Sequence, residues 1–345
     1  MLNQRAKVRN MDPISTTSSL PPSLNIVVCE KTPLAASENS LLTHLNLGEN
    51  NKAEDCLSIQ TALELLGSNL FAQYWFTEQK VTQSSYGKIH YAYANHMLFG
   101  FIQLDCDMQD DLYSATKNSY CEIYNCLKET GLTHLLRTWN FFPSITANDA
   151  LHSKNNRYES FCQGRLHAIE ENNIDTATYP AATVIGNHEK KLQIYFLASD
   201  TPGTAVENPR QTSAYQYPVE MRETQPLFSR GLLKTWGQRT HFYVSGTASI
   251  IGHETLHVND VCAQLNEAIN NVETLVAHAN DQYQASLNAQ DDLLYMKVYI
   301  RNRNDVEAIK QVLAARLSTI IPRALLLGDM CREDLLVEIE AFYQT

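Results

Sequence analysis

The sequence predicts an α+β protein built as two similar halves, and three observations carry that expectation. The chain has 345 residues, which at about 150 residues per domain leaves room for two cores without disulfide or metal staples. Stretches of apolar–polar alternation and stretches of helical period follow one another cleanly. Matching stretches also recur at a near-constant spacing: helices expected at 114 and 260 lie 146 apart, those at 155 and 305 lie 150 apart, and strands at 192 and 335 lie 143 apart. A unit that runs strand, strand, helix, strand, helix, strand, strand can place its helices on one sheet face through right-handed crossovers. The other face is then free for a partner domain and for a site.

Residues 1–22 are rich in Ser, Thr, Asn and Pro without apolar period and are expected as a mobile arm. From 25 to 80 the signals are mixed: NIVVCE reads as a short strand, and CLSIQTALELLGSNLFAQYWF carries both spacings. KIHYAYANHMLFGFIQLD (88–105) predicts two strands turning at Ala94, Asn95 and His96. A helix follows over 114–130, with Tyr120, Ile123, Tyr124 and Leu127 on one face and Gly131 as its C-terminal stop. LLRTWNFF (135–142) is a strand ended by Pro143, and a helix over 155–170 carries Tyr158, Phe161, Cys162, Leu166 and Ile169 on one side. Strands at 181–186 and 192–199 complete an N-terminal α+β domain over 23–200.

The Pro- and Gly-containing stretch TPGTAVENPRQTSAYQYP sets a crossing segment at 201–225, and 226–345 forms the second domain. It should open with strands at 228–234 and 240–246. A helix then starts at the N-cap Asp260, with Val261, Leu265, Ala268, Ile269, Val272 and Val276 as its apolar stripe. In LLYMKVYIR (293–301) Leu294, Met296, Val298 and Ile300 share one face, and Tyr295, Lys297, Tyr299 and Arg301 the other. A helix over 305–319 and strands at 323–330 and 335–342 finish the chain.

Composition narrows the function classes. With 27 Lys and Arg against 38 Asp and Glu, the net charge of −11 disfavours phosphate backbones and anionic lipid. No stretch approaches the ~18 apolar residues of a spanning helix, and the start MLNQRAKVRNMDP lacks a signal-peptide run. A cytoplasmic protein with neither nucleic-acid nor membrane partners is expected. Its eight scattered cysteines read as reduced thiols, mostly buried small hydrophobes.

His253, Glu254 and His257 in GHETLHVND match the HExxH pattern of zinc proteases. The context opposes it: Gly252 precedes the pattern and Asn259 and Asp260 open a helix after it, so the five residues lie in the approach to a helix and not inside one. Glu267 and Glu273 supply no recognisable third-ligand motif, and no metal is expected. A zinc hydrolase is the rival enzyme reading.

Three stretches place small residues beside ionisable ones: 206–218, 242–254 and 321–342. In SGTAS, Gly246, Thr247 and Ala248 could let a carboxylate approach backbone N–H groups closely. In VEIE the strand period puts Glu338 and Glu340 opposite Val337 and Ile339. One of the two carboxyls could then point into a partly apolar pocket that raises its pKa and makes it a proton donor. The bland alternative is a pair of solvated edge glutamates.

On VSGTASI, the Asp260 helix with NEAINNVETLVAHA, KVYIRN, Pro322-Arg323 and LLVEIEAF, the second half resembles the YjgF/RidA superfamily. The span from about 135 to 342 resembles the chorismatases more closely, through RTWNFFP, RYESFCQGR, YPAATVIG, YFLAS, VENPRQTSAYQYP, FSR, SGTASIIGHE and CREDLLVEIE. The resemblance implies two YjgF/RidA-like, chorismate-mutase-like domains, each a mixed sheet with helices on one face, the second carrying most of the site. It also implies cleavage of chorismate to pyruvate and a ring product without metal or organic cofactor. Glu338 is then the acid that protonates the enolpyruvyl methylene, and Arg323 grips a carboxylate. Arg157, Arg165 and Arg210 are further candidate cations for the two carboxylates of chorismate, with Tyr215 and the SGTA backbone as neutral partners. In the aromatising branch of that family a Cys stands seven residues before the acid and an Ala fills the third small position, as Cys331 and Ala248 do here. The expected product is 3-hydroxybenzoate, alone or with a share of 4-hydroxybenzoate, for a secondary-metabolite, pigment or quinone pathway. A chain with two such domains is expected to act as a monomer. A non-catalytic small-molecule-binding protein on the same fold is the third reading.

Overall fold

The stretch before residue 80, where helical and strand spacings overlap, forms strands in a computed structural model that describes residues 23–29, 40–47, 57–67, 72–152, 155–174, 179–218 and 224–345. The arm expected at 1–22 lies outside the described residues. Strands β1 (Asn25–Cys29), β2 (Leu41–Asn46), β3 (Ser58–Gln60) and β5 (Ala72–Phe76) make a small sheet in the order β1-β5-β2-β3. The two-residue strand β4 (Glu64–Leu65) leaves it and pairs with Arg323–Leu327 at the far end of the chain.

The first large sheet uses β6 (Thr82–Tyr86), β7 (Ile89–Ala94), β8 (Met97–Asp105), β9 (His134–Pro143), β10 (Ala181–Asn187) and β11 (Lys191–Ser199). Helix α1 (Leu112–Thr130) connects β8 to β9, and α2 (Arg157–Glu171) connects β9 to β10. Asp111 caps α1 by accepting from the Ser114 N–H, and Gly131 ends it at φ 72°. Asn156 and Glu159 close a capping box on α2.

The second half continues with β12 (Thr204–Val206), β13 (Gly231–Trp236), β14 (Arg239–Val244), β15 (Thr247–Ala248), β16 (Ile250–Ile251), β17 (Glu254–Thr255), α3 (Val261–Tyr283), β18 (Leu293–Ile300), α4 (Val306–Arg316), β19 (Arg323–Leu327) and β20 (Val337–Gln344). The first sheet runs β10-β9-β11-β8-β7-β6 and the second β19-β18-β20-β14-β13-β12, with β4 added beyond β19. Strand for strand the orders correspond, and the pair joined by the second helix of each half is parallel in both. The repeated plan read from sequence spacing is therefore a repeated topology. Several boundaries differ: the strand expected over 323–330 ends at Leu327 and the helix expected to reach 319 ends at Arg316. Two other shifts have a visible cause. The strand expected at 228–234 starts at Gly231, because Ser229 is drawn aside to bridge Ala181. The strand expected at 335–342 starts at Val337, because the Leu336 N–H is taken by the Gln264 side chain.

Each sheet carries its helices on one face. On the first, Tyr120, Ile123 and Leu127 of α1 and Phe161 of α2 pack over Ile102, Phe142, Ile194 and Phe196. On the second, Leu265, Ile269, Val272 and Val276 of α3 cover Val244, Met296, Val298 and Ile339. The free faces meet in a core that unites Phe99, Trp139 and Tyr195 with Tyr243, Tyr295 and Phe342. Trp75, fully buried, belongs to the small sheet and lies 6.1 Å from Trp139 and 6.2 Å from Phe342, ring centre to ring centre. One expectation is corrected here. Leu294 packs toward the inter-sheet core and Leu293 takes the helix-side place, because a bulge between Leu293 and Tyr295 inserts one residue and flips the alternation.

Candidate active site

On β20 the two-residue period sends Val337, Ile339 and Ala341 into the helix-side core and leaves Glu338 and Glu340 on the inner face, both buried. Strand β15 pairs alongside, with Ala248 opposite Glu338 and Thr247 opposite Ile339. Beside them Gly246 makes room for the acid: a Cβ there would stand 2.0 Å from Oε1 of Glu338. The small residue thus serves the Glu338 carboxyl. Its own N–H donates to Ala182 O at 3.0 Å, so it offers no donor to a ligand. The Thr247 hydroxyl is likewise engaged, donating to Ser245 O at 2.9 Å.

Glu338, Gly246, Ala248 and Cys331 share one cleft. Its walls mix apolar groups from both halves, among them Val184, Phe228, Ile250 and Leu335, with Tyr217, Arg230 and Arg332. Arg230 donates to Thr212 O and to the Tyr217 hydroxyl, each at 2.8 Å. Arg332 donates to His253 O at 2.9 Å and to the Thr255 hydroxyl at 3.1 Å. Arg301 of β18 holds the loop that carries Cys331 and Arg332 by donating to Leu335 O and Arg332 O, each at 2.8 Å.

The two glutamates are driven apart in acidity. Burial, reinforced by the nearby Glu340 charge, pushes Glu338 up to about 8 against the opposing pull of Arg137 and Arg230. Burial alone would raise Glu340 too, but Lys297 and Arg137 hold it at about 2. Lys297 Nζ is 2.9 Å from Oε1 of Glu340, and Arg137 Nη2 is 2.9 Å from Oε2. At neutral pH Glu338 is therefore a buried neutral acid next to a fixed anion, the electrostatic arrangement of a proton donor.

The remaining residues expected from sequence do not line this cleft. Arg157 is fully buried and spends its guanidinium on Pro143 O, Met108 O and Asp107 O. Arg165 lies buried in the first half, 5.1 Å over the Tyr120 ring. Arg210 pairs with Glu267 at 2.5 Å and with Asn271. Arg323, at the start of β19, donates to Leu317 O and Ser318 O at the end of α4. Tyr215 packs against Tyr179, 5.1 Å between ring centres; Tyr217, two residues on, faces the cleft instead. None of these four arginines lines the cleft, and among the described residues the arginines that do are Arg230 and Arg332. Both stood in stretches singled out in the sequence, FSR and CREDLL. The signal that could have found them is adjacency: Arg332 follows Cys331, and Arg230 immediately precedes β13.

The HExxH residues fold as a hairpin. Glu254 lies on β17, Gly252 makes the turn at φ 60°, and His257 sits at φ 57° before α3 begins at Val261. Two ligands one helical turn apart on a single face are not formed, and His257 faces Glu267 at 3.7 Å.

Residues 73–198 match the family described as "Chorismatase FkbO/Hyg5-like, N-terminal". Over 274 residues the chain is 33% identical to a chorismatase of Streptomyces hygroscopicus, covering 78% of each protein. It is 31% identical over 277 residues to a 3-hydroxybenzoate synthase of the same organism, 78% of this chain and 80% of that protein. A chorismatase crystal structure superimposes with a TM-score of 0.83 at 27% identity, covering 94% of this chain and all of that one.

Proposed function

The chain belongs to the chorismatase family, and we propose that it cleaves chorismate to pyruvate and 3-hydroxybenzoate, alone or with a share of 4-hydroxybenzoate. Its similarity to a 3-hydroxybenzoate synthase supports the product. The observation that carries the mechanism is the buried Glu338 carboxyl in the wall of the cleft, where burial and the Glu340 charge push it up to about 8. Glu338 donates its proton to the methylene carbon of the enolpyruvyl ether, positive charge develops on the ether-bearing carbon, and the bond to the ring weakens. The transfer contributes about 10²–10⁴-fold. Arg230 and Arg332 bind the two carboxylates, in place of the four arginines expected from sequence. The ether oxygen leaves with pyruvate, and the ring keeps its own hydroxyl oxygen, in place for the 4-isomer or moved to the neighbouring carbon for the 3-isomer. Loss of one ring proton, which replaces the one Glu338 gave, yields the aromatic acid, so chorismate divides into the two products with no water consumed and no net oxidation. Cys331 and Ala248 flank the ring and decide between its fates.

The finer architecture belongs to the same reading. Both halves are copies of one YjgF/RidA-like unit, divided at 201–225, and the matching strand orders support this. One chain suffices for activity, since each sheet covers the inner face of the other. No helix of the described residues is long and apolar enough to cross a membrane.

Incubating the protein with chorismate and resolving the aromatic products by chromatography tests the activity; absence of pyruvate defeats it. Cys331→Ala tests the steering role: ether cleavage persists while product moves from 3-hydroxybenzoate toward the dihydrodiol or 4-hydroxybenzoate. An unaltered ratio means that Cys331 only fills space.

A further inference from the structure

Glu340 is the most heavily bonded carboxylate at the seam between the halves, yet it does not line the cleft. Oε2 receives Arg137 Nη2 at 2.9 Å, the Thr183 hydroxyl at 2.7 Å and the Tyr299 hydroxyl at 2.8 Å. Oε1 receives Trp139 Nε1 at 3.0 Å and is ion-paired with the Lys297 ammonium at 2.9 Å. Arg137, Trp139 and Thr183 come from β9 and β10 of the first half, while Tyr299 and Lys297 come from β18 of the second. Two residues along the same strand face stands Glu338, opposite Tyr299 in the ladder. A buried ionised carboxylate with two cations is costly when apolar residues could fill the same space, so its retention beside the acid asks for a role.

We propose that the Arg137–Glu340–Lys297 cluster is a positioning device for the proposed reaction, with Glu340 a fixed anion that keeps the proton on Glu338. The inference rests on Glu338 being the acid of that reaction. Like charge close by in a desolvated site disfavours a second ionisation, and Glu340 cannot relieve it by taking a proton, since five donors and cations hold it ionised. The other groups facing Glu338 are Arg137 from β9, Arg230 before β13, Cys331 and Arg332 from the loop before β20, and Tyr158 and Tyr217 at the cleft wall. Arg137 and Arg230 favour ionised Glu338, so the fixed anion on the same strand face offsets them.

The test measures kcat/KM for pyruvate release from chorismate between pH 6 and 10. In the same proteins without substrate, the carboxylic C=O infrared band that Glu338→Gln removes is titrated. Wild type should lose rate and band together near pH 8. Glu340→Gln should move both midpoints down by about one pH unit, while Arg137→Met, which leaves the Glu340–Lys297 pair intact, moves them up. A structural role alone would lower the rate by the same factor at every pH. If Glu340→Gln does not fold, Arg137→Met decides. Midpoints that stay at the wild-type value in every folded variant overturn the proposal. If wild type releases no pyruvate but the band still moves as stated, the reaction is wrong and only the hold of Glu340 on the Glu338 proton stands. If pyruvate is released and the band does not move, the positioning role alone falls.

Discussion

Replacing Gly246 by alanine isolates geometry from acidity. A Cβ at this position would lie 2.0 Å from Glu338 Oε1, whereas real Cβ contacts essentially never fall below 3.0 Å. The carboxyl must therefore retreat by about 1 Å, and a misplacement of that size costs about 10²-fold in rate, or ~2.7 kcal/mol on the barrier. The expected result is a folded Gly246→Ala protein whose kcat/KM for chorismate, followed by coupled detection of pyruvate, is down about 100-fold. Crowding also lowers stability by about 1–3 kcal/mol, so a control is needed. Gly164→Ala supplies it: its Cβ would meet Tyr113 O at 2.5 Å where α1 and α2 touch. That variant should lose a comparable amount of thermal stability and keep wild-type rates. A folded Gly246→Ala enzyme with wild-type kcat/KM refutes the close approach of the acid to residue 246.

Two further outcomes follow from the site. Glu338→Gln should abolish pyruvate release and stabilise the fold increasingly with pH: an unfolded-state carboxyl ionises near 4.5 while the native one stays protonated to about 8. Across that window the wild type therefore loses up to about 1.4 kcal/mol per pH unit that the variant does not, and denaturant unfolding at pH 5 and 7.5 showing an equal gap would refute the shift. Arg230→Met should weaken chorismate binding by about 2–5 kcal/mol and raise KM, while Arg323→Met, which only strips donors from Leu317 O and Ser318 O, should lower thermal stability and spare KM. The reverse pattern would return the carboxylate role to Arg323.

Periodicity made the repeated plan legible because the helices bury one stripe and the inner strands keep their alternation over most of their length. It failed where local interactions override period. The bulge at Leu294 reversed a face, and the small sheet before residue 80 is stabilised by Trp75 and its neighbours, contacts remote in sequence. The place of the two glutamates was legible for a related reason: in VEIE, alternation puts both carboxyls on the face opposite the helices. What alternation does not reveal is which arginine faces a cleft. Arg157 and Arg323 satisfy backbone carbonyls in loops and helix ends, and that use of guanidinium leaves no sequence period. Arg230 and Arg332 reach the cleft from loops whose paths are set by contacts such as Ser229 with Ala181 and Arg301 with the carbonyls of 332 and 335.

The seam has a consequence for how a ligand gets in. Many two-domain enzymes admit substrate by opening like a book about a hinge. Here that motion would pull Arg137, Trp139 and Thr183 off Glu340, at a cost of about 3–5 kcal/mol for the broken buried pair alone, and would part the paired backbones of Gly186 and Asp329 as well. The spine of this book is glued shut. What such a seam leaves for traffic is the page edges: the hairpin of β16 and β17 and the short loop that carries Cys331, which hang on hydrogen bonds of Arg332 and Arg301 and not on the buried cluster.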